Sequence, residues 1–155
     1  MLIYKEFTFE AAHFLPSAPA GHPNSRIHGH SFHARITVEG TPDPETGLVF
    51  HFDDLTAALD EVHTALDHQF LNEVDGIGAP TLENITVWVW NRLAAKIPGL
   101  YEVHISRPSP PISKPAPPIV LRIRAGVYRC RCISLPEFPD FSPLSSEEVG
   151  TASAG

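Results

Sequence analysis

Residues 2–12 and 31–40 alternate apolar and polar side chains, with Ile3, Phe7, Phe9 and Ala11 marking the first run and Phe32, Ala34, Ile36 and Val38 the second. A period of two predicts strands that bury one face and wet the other. Each run borders a histidine-bearing segment, Phe9-Glu10-Ala11-Ala12-His13 in one case and His28-Gly29-His30 in the other. Between them, residues 16–26 are rich in Pro, Ser, Ala and Gly, a loop long enough to be functional and not a simple connector. Thr41-Pro42-Asp43-Pro44-Glu45-Thr46-Gly47 is strong turn chemistry and predicts that Leu48–Phe52 returns as a hairpin strand. Asp53-Asp54 then opens a predicted amphipathic helix with Leu55, Ala58, Leu59, Val62 and Leu66 on its apolar face, ending near Asp67-His68. A second helix is expected from Thr81 as N-cap, through Trp88, Trp90 and Leu93, to Ala95 before Pro98-Gly99. Residues 101–106 read as a further strand. This order predicts an α+β domain, two helices on one face of a mostly antiparallel sheet.

From Pro108 the character changes. Six prolines within residues 108–118 exclude helix and central strand and predict an extended linker. Residues 119–133 are expected to add one closing strand, and residues 134–155, rich in Ser, Pro and Glu, to be disordered. The folded domain is therefore expected over residues 1–107. A formal charge of −7 leaves no basic footprint for nucleic acid or an anionic membrane. With no transmembrane-length apolar run and no signal-peptide pattern, the cytoplasm is the expected location. Cys130 and Cys132 lie too close on an extended chain for a disulfide and are weak evidence for a metal.

Histidine supplies the chemistry. On a strand, His28 and His30 turn to one face, and His13 on another strand completes a set of three nitrogen ligands. Three neutral imidazoles bind zinc at roughly 2.0–2.1 Å and leave a fourth position for water or substrate, the pattern of a working site. His22, His33, His51, His63 and His104 lack such partners and read as surface, capping or core residues. The tryptophans read as core or subunit-interface anchors.

Four ordered motifs, Phe9-Glu10-Ala11-Ala12-His13, Gly21-His22 with His28-Gly29-His30-Ser31-Phe32, Leu66-Asp67-His68-Gln69-Phe70-Leu71-Asn72 and Pro80-Thr81-Leu82-Glu83-Asn84, resemble the 6-pyruvoyl-tetrahydropterin and 6-carboxytetrahydropterin synthase superfamily. The resemblance spans residues 2 to about 107. It implies the tunnelling fold (T-fold), whose sheets close into three-subunit barrels stacked as a homohexamer. It implies a pterin triphosphate substrate and one zinc per subunit, with His13, His28 and His30 as ligands, Asp67 and His68 as an acid/base dyad, and Thr81 as a pterin contact. Among the family's reactions, the Gly-His loop and the Asp67-His68 block look most like the bacterial 6-carboxytetrahydropterin synthase of the queuosine (7-deazaguanine) route.

Two positions depart from the family pattern. Asn24 stands where the family carries a catalytic cysteine, and Ser25 where a variant branch carries glutamate. Arg107 stands where a glutamate anchors the pterin, presenting donors in place of acceptors. Three accounts stay open: Cys130 or Cys132 replaces the thiol, the chain is a zinc-binding paralogue with altered or lost activity, or the C-terminal segment is read in a different frame. The 6-pyruvoyl reaction, elimination of triphosphate, is the runner-up activity.

Overall fold

The computed structural model describes residues 1–107, 119–125 and 127–131. Two long strands, β1 (Leu2–His13) and β2 (His28–Glu39), pair antiparallel in continuous register from Leu2↔Glu39 to His13↔His28. Both are longer than their alternation alone predicts, and the histidine segments lie inside the strands. After β2 come α1 (Phe52–Leu66), β3 (Gln69–Phe70), α2 (Leu82–Ala94), β4 (Leu100–Arg107), β5 (Ile119–Arg124) and β6 (Val127–Arg131). The sheet runs β3-β1-β2-β4-β5-β6. Every pairing is antiparallel except the two-residue parallel match of β3 to Ala11 and Ala12.

The alternation works as expected. Phe9, Ala11, Phe32, Ala34, Ile36, Val103 and Ile105 face inward, and the apolar faces of α1 (Leu55, Leu59, Val62, Leu66) and α2 (Ile85, Val89, Leu93) cover them. Each fully buried Val, Leu, Ile or Phe among them contributes about 1.5–3 kcal/mol. Phe9 and Phe32 stack at 4.8 Å across the hairpin. This pair supports the end of the sheet that carries the histidines. Trp88 is buried in the same core, donating its indole N–H to Asp75 O at 2.9 Å, and Trp90 packs at its edge.

Helix ends follow side-chain chemistry. Thr81 caps α2 by accepting Asn84 N–H at 3.2 Å. His51 caps α1 through Nδ1, accepting from Asp53 N–H at 3.3 Å, so that helix begins one residue earlier than Asp53. His22 plays the same part for a 3-10 turn at Pro23–Ser25, within the loop expected from composition.

Two expectations are corrected. Leu48–Phe52 forms no strand: β1 and β4 occupy both edges of β2, so a hairpin return has no vacant edge to join. The Asp43 turn closes on itself, with Asp43 Oδ1 accepting the Glu45 and Thr46 amides, and the chain passes into α1 with Leu48 and Phe52 exposed. Where residues 119–133 were expected as one strand, β5 and β6 form a hairpin, with Arg124 opposite Val127. In the sequence a glycine, Gly126, interrupts the apolar run between them. The proline-rich stretch 108–118 and residues 132–155, Cys132 included, lie outside the described residues.

Candidate active site

The β1–β2 register decides where the three histidines meet. His13 is opposite His28, and His30 is opposite Ala11, so period-two geometry sends all three rings to the inward face at one end of the hairpin. Ring centroids are 4.6 Å apart for His13–His28, 5.2 Å for His13–His30 and 4.9 Å for His28–His30. One nitrogen from each lies within 4.8 Å of the others, an arrangement that could hold a metal ion. Phe32 sits edge-on to His13 and His30 and forms an apolar wall beside them.

Hydrogen bonds outside the cluster orient the rings. The Nδ1–H of His13 donates to Pro80 O at 2.7 Å, and that of His28 donates to Arg26 O at 2.8 Å. Each bond fixes the tautomer that leaves the Nε2 lone pair free, the usual backing of a metal-ligating imidazole. His13 Nε2 is buried and has no partner among the described residues. A buried acceptor left unmatched costs about 1–3 kcal/mol, and a cation held by the three rings would supply its missing partner. The donor set therefore fits a zinc ion. Burial is the main reason the His13 imidazole is harder to protonate than usual, with His28 and Arg107 adding to it. Burial and then Arg107 push His30 down to about 4. Both rings are thus neutral near pH 7, the form that binds metal.

The Asp67–His68 pair is built at the junction of α1 and β3. Asp67 is the C-cap of α1, its N–H bonded to His63 O, and His68 adopts the left-handed region at φ 56°. That turn docks the pair onto β1: His68 N–H donates to Glu10 O at 2.6 Å, and Glu10 N–H donates to Asp67 Oδ1 at 2.9 Å. The other carboxylate oxygen, Oδ2, accepts His68 Nδ1–H at 2.8 Å, while His63 Nε2 stands 3.9 Å from it. The Glu10 amide first, and His68 second, hold the Asp67 carboxyl below its ordinary pKa. His68 is largely exposed, its Nε2 unconstrained by this bond.

His68 and His30 line one open groove of about 500 Å³, together with Glu10, Ala12, Ser31 and Phe70. Thr81 lies outside that lining but follows Pro80, whose carbonyl orients His13. Asn24 lies in the loop between β1 and β2, its carbonyl accepting Leu15 N–H at 2.8 Å. Arg107, half-buried on β4, turns a guanidinium N–H onto His30 Nε2. Cys130 is on β6.

Three contributors were invisible in the sequence. Glu10 acts through its main chain, Pro80 and Arg26 through their carbonyls, and backbone roles leave no residue-type signal. Arg107 stood out only as a departure, and its contact with His30 is a product of β2–β4 pairing.

The sequence profile of the family described as 6-pyruvoyl tetrahydropterin synthase matches residues 2–111. The chain is 44% identical over 110 residues to a 6-carboxy-5,6,7,8-tetrahydropterin synthase from Synechocystis, a match covering 67% of this chain and 84% of that protein. It is 35% identical over 98 residues to a dihydroneopterin monophosphate aldolase from Pyrococcus furiosus, covering 63% of this chain and 78% of that protein. The solved 6-pyruvoyl tetrahydropterin synthase of Caenorhabditis elegans superposes with a TM-score of 0.64 at 20% identity, covering 81% of this chain and 95% of that one. The last likeness speaks to the fold, which is the T-fold. Among the described residues no helix is long and apolar enough to cross a membrane.

Proposed function

The chain belongs to the 6-pyruvoyl tetrahydropterin synthase family, and from that premise we propose that it is a zinc-dependent lyase of the 6-carboxytetrahydropterin synthase type. Its reaction converts 7,8-dihydroneopterin triphosphate and water to 6-carboxy-5,6,7,8-tetrahydropterin, acetaldehyde and triphosphate, in queuosine (7-deazaguanine) synthesis. The observation that carries this reading is the unpartnered buried His13 Nε2 in a three-imidazole cluster whose His30 shares a groove with His68. The similarity to the Synechocystis enzyme supports the choice of reaction within the family.

His13, His28 and His30 would hold the zinc. Bound there, zinc supplies Lewis acidity that polarises a substrate oxygen and eases loss of a proton from the adjoining carbon. The remaining work falls to side chains. His68, with its Nδ1–H engaged by Asp67, offers Nε2 as the base. Once Nε2 takes the proton, the imidazolium is stabilised by the Asp67 carboxylate, and the same atom returns the proton later. Asp67 stays ionised throughout, because the Glu10 amide and His68 both favour its charged form. Thr81 accepts the Asn84 amide with its hydroxyl oxygen and retains its own O–H to donate to the pterin.

The active form is read as a homohexamer of two stacked barrels. In support, β3 covers only Ala11 and Ala12 of the outer edge of β1, so the rest of that edge is unpaired among the described residues. Such an edge invites pairing with another subunit.

Asn24 favours a second reading, a zinc-binding paralogue with altered or lost activity, because a carboxamide neither takes nor gives a proton at physiological pH. Mass-spectrometric product analysis of zinc-loaded protein with 7,8-dihydroneopterin triphosphate separates the two, with His68→Ala as control. The enzyme reading expects 6-carboxytetrahydropterin and acetaldehyde, falling about 10²–10⁴-fold in the variant while zinc content is unchanged. A 6-pyruvoyl product would move the assignment to the triphosphate-eliminating reaction. No product dependent on His68 would refute the enzyme reading and leave the paralogue.

A further inference from the structure

Arg107 is the feature that the proposed chemistry leaves unused. Its guanidinium donates to His30 Nε2, and the backing of His13 and His28 leaves the same ring atom, Nε2, free on those residues. Among the described residues no carboxylate pairs with it, although it is half-buried. One lone pair serves one electrophile, so a cation that takes His30 Nε2 displaces the guanidinium.

The displaced group then stands, half-buried, beside a divalent cation held by three neutral rings. Like charges this close in a partly desolvated site repel strongly. The three ligands contribute no negative charge, so the balance must come from whatever binds. A guanidinium presents its N–H groups as a planar fork that matches a carboxylate or phosphoryl group and accepts nothing in return. An approaching N–H edge would meet donors only.

We propose that Arg107 makes this a site for an oxyanion: with a divalent cation on His13, His28 and His30, the Arg107 guanidinium leaves His30 and pairs with a carboxylate or phosphoryl oxygen of the ligand. The inference rests on the reading of the triad as metal ligands and is independent of which pterin reaction follows. It assigns Arg107 a specificity-determining role, selecting ligands that bring negative oxygen to the cation and opposing those that bring only N–H groups.

The test is a Co²⁺ titration of the full chain, read by visible absorption in chloride-only buffer, with and without methylphosphonate as the oxyanion probe. Wild-type protein is expected to bind Co²⁺ about tenfold more tightly when methylphosphonate saturates. Arg107→Gln, freed of the repulsion, should bind Co²⁺ about tenfold more tightly than wild type without the anion and respond to it by less than about twofold. Arg107→Lys keeps the charge and should keep most of the anion response, which guards against a misfolded glutamine variant. Equal anion dependence in wild type and Arg107→Gln, or none in either, would overturn the role of Arg107 while leaving the metal site intact. Failure of wild-type protein to develop any Co²⁺ bands would overturn the metal reading, and this inference with it.

Discussion

Replacing His13 with Phe separates the two thermodynamic consequences of a buried imidazole proposed as a metal ligand. His13 is 5% exposed, and its ring lies 4.6 and 5.2 Å from those of His28 and His30. Phenylalanine keeps a flat ring in that cluster. In metal-free protein the substitution removes the unpartnered Nε2, a relief of about 1–3 kcal/mol, but leaves Pro80 O without its 2.7 Å donor, a loss of similar size. The two nearly cancel, so the metal-free variant should melt close to metal-free wild type. With zinc the two proteins diverge. A ligand that binds only the folded state at a hundredfold over its Kd stabilises by about 2.7 kcal/mol. For a domain near a hundred residues each kcal/mol moves Tm by about 4–8 °C, so zinc should raise the wild-type Tm by about 10–20 °C and leave His13→Phe almost unmoved. Thermal melts followed by circular dichroism, in chelator and then in excess zinc, measure all four values. An equal zinc-induced rise in the variant would refute the assignment of His13 as a ligand.

The remaining predictions concern pH and backbone geometry. His30 is held at about 4 in the folded protein against 6.5 for an ordinary histidine. Between those values the unfolded chain binds more protons, so metal-free stability should fall as pH drops from 6.5 towards 4 and be fully present above that window. Urea midpoints at several pH values in chelator check this, with His30→Gln expected to flatten the slope; an equally steep slope in that variant would exclude His30 as its source. Gly99, between α2 and β4, has φ +77°, and a Cβ there would lie 2.3 Å from Glu39 O. Gly99→Ala should destabilise by about 2 kcal/mol or more, from the left-handed conformation plus the backbone collision. A urea midpoint unchanged from wild type would show that the turn relaxes freely.

The two departures from sequence expectation differ in cause: the β5–β6 hairpin follows from a local break in the strand pattern, whereas the other has a long-range origin. The Leu48–Phe52 segment carries a plausible hairpin pattern, but strand formation depends on a vacant neighbour, and β4, which follows both helices in the chain, takes the edge of β2. The helices, in contrast, fall where their caps and apolar stripes place them, because Thr81 with Asn84 and the spacing of Leu55, Leu59, Val62 and Leu66 act within a few residues. The same division runs through the site. The inward aim of His28 and His30 follows from their separation of two on a strand, and Asp67 and His68 are adjacent in the chain.

Local pattern alone thus determined β1, β2 and β4, the two helices, the α+β class and the residue types able to hold a metal. Only the tertiary structure decided that His13 and His28 face each other in register, that Pro80 orients His13, that Glu10 holds Asp67, and that Arg107 reaches His30. The physical reason is range: periodicity and capping are energies between near neighbours, whereas these contacts join residues 15 to 77 positions apart and exist only once the sheet has chosen its strand order.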